Sequence, residues 1–187
     1  MKRPHQIVLI IATLALSWLA MQAVHELGHV AGAVLSGGRV ERVVLHPLEI
    51  SRTDLSENPR PLLVAWLGPL VGIALPAIAA AVARWRKLRW AFLLQFFAGF
   101  SLVANGAYLG VGSWWAIGDA GDLLRCGTPI WLLWLFGLLA VAAGLWAWHG
   151  LGPAFRLGQA GVQVNPLFVY LVFGLLLATI ALELVYY

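Results

Sequence analysis

The chain has 187 residues, of which 61% are hydrophobic and only 11% are charged. Soluble globular domains have about 45–50% apolar and about 25% charged residues, so this composition excludes that class and indicates an integral protein of the lipid bilayer. The net charge of +4 comes from basic residues scattered over loops, and without a basic stripe we expect no nucleic-acid partner. The single cysteine, Cys126, excludes an intramolecular disulfide.

The N-terminal segment begins with Lys2 and Arg3 and continues as an apolar run from Ile7 to Leu19. This order resembles a secretory signal peptide. The apolar pattern nevertheless continues as far as Leu35, which favours an uncleaved first span. We therefore predict a spanning helix over about 6–36, ended by the glycines that follow Ser36.

This first helix contains the sequence His25-Glu26-Leu27-Gly28-His29. Two histidines at i and i+4 lie on one face of a helix, about 6 Å apart along its axis, and can bind one zinc ion. Glu26 can reach a water on that metal as general base. Ionisable groups in a membrane span are costly unless they serve a site. We predict one Zn²⁺ per chain, with His25 and His29 as ligands and Glu26 as the catalytic residue.

The segment after the first span predicts a small β-hairpin. Residues 39–46 are rich in β-branched side chains and are typical of a strand, and residues 48–52 are its predicted partner. Residues 53–60 are predicted to form a polar loop.

Four further spans are predicted over 61–83, 91–107, 129–148 and 166–186. The glycine-rich stretch 106–121 is expected to break the regular helix and to line a water-accessible cavity, because irregular backbone is tolerated only there at membrane depth.

Orientation follows the distribution of Lys and Arg. An inside N-terminus places seven of the 12 basic residues in the cytoplasm, including the basic cluster within 84–89. This cluster is interpreted as a juxtamembrane loop, with a lipid-headgroup site as the alternative.

A catalytic zinc usually has three protein ligands and one open position. The candidates for the third ligand are His46, His149, Asp119 and Asp122. The histidines, like His5, lie where surface histidines are common. An aspartate in a glycine-broken membrane segment requires a partner, so Asp119 is favoured and Asp122 is second. The aspartate that is not the ligand either orients a histidine or caps a short helix starting near residue 120.

These motifs resemble those of the site-2-protease family of intramembrane zinc metalloproteases. The stretch from His25 to His29 and the strand-like Val40–Leu45 are similar to the family's first core helix and its membrane-associated hairpin. Gly68-Pro69 resembles its second motif, with Gly72 in place of the family's asparagine. Asp119 occupies the position of the aspartate ligand in the third motif.

Asn105 corresponds to the asparagine of that third motif, although its separation from Asp119 is longer than the family pattern and the motif's proline is missing. The resemblance covers about residues 7–125 and implies a metalloprotease-like core, followed by additional spans over about 129–187.

The sequence thus predicts an all-α integral membrane protein, one polytopic domain over 1–187, with about five transmembrane helices and a small membrane-associated β-hairpin after the first. The resemblance implies an intramembrane zinc metalloprotease that hydrolyses peptide bonds in membrane-protein substrates, in a prokaryotic-type cell membrane. Two alternatives stay open: a membrane metal-binding or transport protein, and a non-catalytic partner-binding protein with a degenerate site.

Overall fold

Five helices of the computed structural model, which describes residues 4–159 and 164–186, are long and apolar enough to cross a membrane. They are α1 (Pro4–Leu35), α2 (Pro61–Trp85), α3 (Ala91–Gly112), α5 (Ile130–Trp148) and α6 (Pro166–Tyr186). A short helix, α4 (Gly118–Arg125), lies between α3 and α5, and a 3₁₀ turn (Gly152–Phe155) follows α5. The predicted class of multi-pass, all-α membrane protein is confirmed. Lys2, Arg3 and residues 160–163 lie outside the described residues.

The predicted β-hairpin follows α1, but its second strand lies further along the chain than expected. Strand β1 (Arg39–Val44) pairs antiparallel with β2 (Arg52–Glu57), with Val44 opposite Arg52. The prediction of a strand over 48–52 and a loop over 53–60 is wrong.

Strand β2 was predicted at the wrong place because the prediction relied on hydrophobic side chains. Two strands pair through their backbone N–H and C=O groups, whatever the side chains are. Leu48 and Ile50, which suggested a strand, are exposed in the connecting loop. Pro47 in the same loop has no backbone N–H to donate to a ladder. The polar residues of β2 are used at the site described below.

Helix α3 continues to Gly112, through glycines that were expected to interrupt it. Gly106 and Gly110 lie against α5: a Cβ added to Gly106 would lie 2.8 Å from Cβ of Ala140, and one added to Gly110 would lie 3.3 Å from Cα of Gly137. Small residues let transmembrane helices approach closely in this way. These two glycines therefore serve helix packing, and within 106–121 the cavity described below is lined by Tyr108, Gly118 and Asp119.

The last two spans brace the helices that carry the candidate site. Helix α5 packs on α3, as just described. Helix α6 packs along α1, where Leu9 and Leu19 form a buried cluster with Val169, Val172 and Leu176. Helices α5 and α6 thus cover one face each of α3 and α1.

Helix α4 is held in place by a second buried cluster. Ala120 and Leu123 of α4 pack with Ala65 of α2, Leu109 of α3 and Leu133 of α5. Although α4 is only eight residues long, this packing fixes the direction of its first turn.

Candidate metal centre

The structure brings together three of the predicted site residues, His25, His29 and Asp119. Oδ2 of Asp119 lies 2.8 Å from Nε2 of His25 and 3.3 Å from Nε2 of His29. The two Nε2 atoms are 3.0 Å apart. Both histidines are buried within α1, and Asp119 approaches them from the first turn of α4. Residues 94 positions apart in the chain thus present their donor atoms at one point.

The outer nitrogens of both imidazoles are held by fixed acceptors. Nδ1 of His29 lies 2.9 Å from the carbonyl oxygen of Val64, which can only accept, so Nδ1 carries the proton. Nδ1 of His25 lies 2.7 Å from Oδ1 of Asn105. The Asn105 amide is oriented in turn because its Nδ2 donates to the carbonyl of Ser101. His25 therefore also donates through Nδ1.

This arrangement turns lone pairs toward one another. Neutral imidazoles that donate through Nδ1 present the lone pairs of Nε2, and Asp119 presents a carboxylate oxygen. Three converging electron-pair donors repel unless they share a cation. The donor set of two imidazole nitrogens and one carboxylate oxygen is one that catalytic zinc takes.

The spacing of the donor atoms also fits zinc. Ligand atoms at the corners of a tetrahedron, with bonds of about 2.0–2.1 Å, lie about 3.3–3.4 Å from one another. The observed separations between 2.8 and 3.3 Å are slightly shorter. The residues present therefore fit a zinc ion.

Glu26 lies beside this group and is only 3% exposed. Its two carboxylate oxygens accept hydrogen bonds from the hairpin: Ser51 Oγ donates to Oε1 at 2.7 Å, and Thr53 Oγ1 donates to Oε2 at 2.6 Å. One turn earlier in α1, Oε1 of Gln22 accepts the backbone N–H of Ser51 at 3.0 Å. The hairpin is thus tied to α1 at Glu26 and, one turn earlier, at Gln22.

A cavity of about 1030 Å³ opens onto these groups. It is lined by the histidines, Glu26 and Asp119, by Asn105 and Tyr108 of α3, and by β2 and its approach. The hydroxyl of Tyr108 accepts the backbone N–H of Asp119 at 3.2 Å, so it helps to hold the start of α4. The cavity is large enough for an extended peptide segment.

The other sequence candidates lie outside the group of three. Asp122 lines the same cavity, but it is not one of the converging donors and its carboxylate pairs with Arg125 on α4. The N-cap of α4 is Ile117 without a side-chain cap bond, so the capping role considered for the aspartate that is not the ligand is wrong. Orientation of the two histidines comes from Asn105 and Val64. His5 packs edge-on against Tyr170, His46 accepts from the backbone of Leu48, and His149 ends α5.

Glycines make room for the histidine that faces α2. A Cβ on Gly68 would lie 2.3 Å from Nε2 of His29, and a Cβ on Gly28 would lie 2.2 Å from the carbonyl oxygen of Leu67. On the opposite side of the site, a Cβ on Gly72 would come within 2.9 Å of Oδ1 of Asn105. Gly72, where the resemblance would place an asparagine, thus leaves space for the amide that holds His25.

Gly68→Ala is expected to displace the His29 ring and to weaken zinc binding strongly. Overpacking of this kind also costs about 1–3 kcal/mol of stability. The control is Gly174→Ala in α6, where an added Cβ meets nothing within 4 Å. Metal content and thermal unfolding of the purified variants measure both effects. Equal zinc binding by the two variants would contradict the assignment of this role to Gly68.

Asn105→Ala is expected to lower zinc affinity by about 10–100-fold, because it removes the acceptor that orients a ligand histidine. Ser101→Ala is the matched control, one turn earlier on α3, since its buried Oγ has no partner among the described residues. Competition with a chelator of known affinity measures the difference. Identical affinities in the two variants would show that Asn105 does not support His25.

Several residues at the site were missed by sequence reasoning. Gln22, Ser51 and Thr53 around Glu26 and Tyr108 beside Asp119 were not singled out. Weak signals existed: Gln22 is a polar residue in an apolar span, four positions before Glu26, and Tyr108 follows Asn105 by three positions on one helix face. Ser51 and Thr53, two positions apart, lie on one side of an extended segment.

No family model, curated protein or solved structure matches the chain.

Proposed function

We propose that this protein is an intramembrane zinc metalloprotease, which hydrolyses peptide bonds in or beside transmembrane segments of other membrane proteins in a prokaryotic-type cell membrane. One observation carries the proposal: Nε2 of His25, Nε2 of His29 and Oδ2 of Asp119 converge beside a buried glutamate, Glu26, at a cavity between spanning helices. A purely structural role does not account for four ionisable side chains gathered at a cavity between spanning helices.

A zinc ion bound by the three donors would lower the pKa of a coordinated water and polarise the scissile carbonyl. The chain's own residues do the rest. Glu26 accepts a proton from the attacking water and later delivers it to the leaving amine. Asn105 and Val64 keep both imidazoles in the orientation that presents Nε2. Burial of these groups strengthens their electrostatic interactions.

The hairpin is suited to receive the substrate. A transmembrane helix hides its amide groups, so the scissile segment must be unwound before it can be cleaved. Among the described residues, β2 pairs with β1 on one edge only, and β2 also lines the cavity. An extended substrate segment can add to the free edge of β2 by backbone hydrogen bonds. Thr53 and Leu55 would then lie beside the peptide.

The test is cleavage of several single-span membrane proteins by the purified full-length protein, wild type against Glu26→Gln. Zinc is measured in the same samples, and mass spectrometry locates the cut. We expect the wild type to cut in or beside the span. A zinc-loaded wild type that cuts none of the substrates would contradict the proposal.

A further inference from the structure

The two hydroxyl groups on Glu26 come from one short segment of the hairpin. Thr53 lies in β2, and Ser51 immediately precedes that strand. Each hydroxyl donates to a different oxygen of the carboxylate, at 2.6 and 2.7 Å. The backbone N–H of Ser51 is bound to Gln22. Three hydrogen bonds thus join the start of β2 and the residue before it to one turn of α1.

We propose that Ser51 and Thr53 are positioning residues that hold the Glu26 carboxylate in the orientation needed for proton transfer. This inference rests on the proposed function, in which Glu26 is the general base. A carboxylate has about four lone-pair positions, two on each oxygen. One hydroxyl on each oxygen fixes the rotation of the group and leaves a lone pair on each oxygen free for the water.

The same contacts link the base to the substrate's docking edge. Ser51, Thr53 and Leu55 all line the cavity together with Glu26. A peptide added to the free edge of β2 would be held by the same backbone that carries Thr53. The hydroxyls therefore set the distance between the bound peptide and the group that activates water, and a small misplacement at a reacting centre is costly.

The test uses a pair of substitutions at one position. Thr53→Val keeps the shape of the side chain but removes the hydroxyl, whereas Thr53→Ser keeps the hydroxyl. We expect Thr53→Val to lower kcat by about tenfold or more, because the net contribution of a hydrogen bond to a charged group corresponds to a factor of about that size. KM and zinc content should stay near those of the wild type, and Thr53→Ser should retain most of the activity. Ser51→Ala and Ser51→Thr form the equivalent pair.

A second readout does not depend on activity. The infrared carboxylate band of Glu26 can be isolated in the metal-free protein as the difference between the wild type and Glu26→Gln. Loss of a hydroxyl donor should shift this band in Thr53→Val and leave it nearly unchanged in Thr53→Ser.

Three results would overturn the inference. An unchanged kcat and band in Thr53→Val would show that the hydroxyl does not act on Glu26. A higher kcat would make the contact a latch that restrains the base, and a higher KM with unchanged kcat would make Thr53 a substrate contact. If the wild type cleaves nothing while the band still shifts in Thr53→Val, the proposed function fails and the contact between Thr53 and Glu26 stands.

Discussion

Glu26→Gln is expected to abolish most proteolysis while zinc remains bound. Glutamine keeps the size of the side chain and can still hydrogen-bond Ser51 and Thr53, but it cannot accept the proton of the attacking water. General acid–base catalysis contributes typically about 10²–10⁴-fold, so the cleavage rate should fall by at least that range. Cleavage rates and zinc stoichiometry are measured on the same preparations.

The matched control is Glu41→Gln, the same substitution at an exposed position of β1. It should leave both activity and zinc content unchanged.

The comparison of wild type with Glu26→Gln also separates the competing functions. A metal transporter needs the ligands but no proton acceptor, so it predicts that Glu26→Gln has little effect on metal movement. A partner-binding protein with a degenerate site predicts no stoichiometric zinc. Full proteolysis by Glu26→Gln would exclude Glu26 as the base.

His25→Ala and His29→Ala are expected to abolish zinc binding, and Asp119→Ala to weaken it by more than about 100-fold. Groups that only orient a ligand cost about 10–100-fold when removed, and loss of a ligand costs more. Elemental analysis gives zinc per chain, and chelator competition gives the affinity. Wild-type protein is expected to hold one zinc ion.

Asp122→Ala tests the choice of aspartate. Asp122 lies three residues after Asp119 on the same short helix, but its carboxylate pairs with Arg125 and is not one of the three converging donors. The Asp122→Ala variant should therefore keep wild-type zinc affinity. Loss of zinc in Asp122→Ala together with normal zinc in Asp119→Ala would show that Asp122, and not Asp119, is the third ligand.

Features of the fold that depend on a single segment could be predicted from the sequence, whereas features that depend on contacts between distant segments could not. The five spans depend on the length and apolarity of single segments, which the bilayer thickness sets, and their predicted bounds agree with the structure to within a few residues. The exceptions are the end of α3 and the position of β2. Gly106 and Gly110 could be interpreted as helix breakers until α5 was seen packed against them.

The residues of the candidate site also fall into those placed by local helix geometry and those placed by packing between elements. His25, Glu26 and His29 follow from the sequence alone, because the spacing of residues on one helix places them by local geometry. Asp119 was favoured from the sequence, but only the tertiary structure brings it to the histidines and leaves Asp122 outside, because the burial of Ala120 and Leu123 decides which side of α4 faces α1.

The supporting groups were decided by tertiary structure as well. Asn105 lies 80 residues from His25 in the chain, and Thr53 lies 27 residues from Glu26. No local pattern links such pairs. Their hydrogen bonds form only because packing of α1 against α2 and α3, permitted by glycines such as Gly68, brings separate elements together. The sequence by itself determined the membrane class and the helical motif, and packing determined what orients and surrounds it.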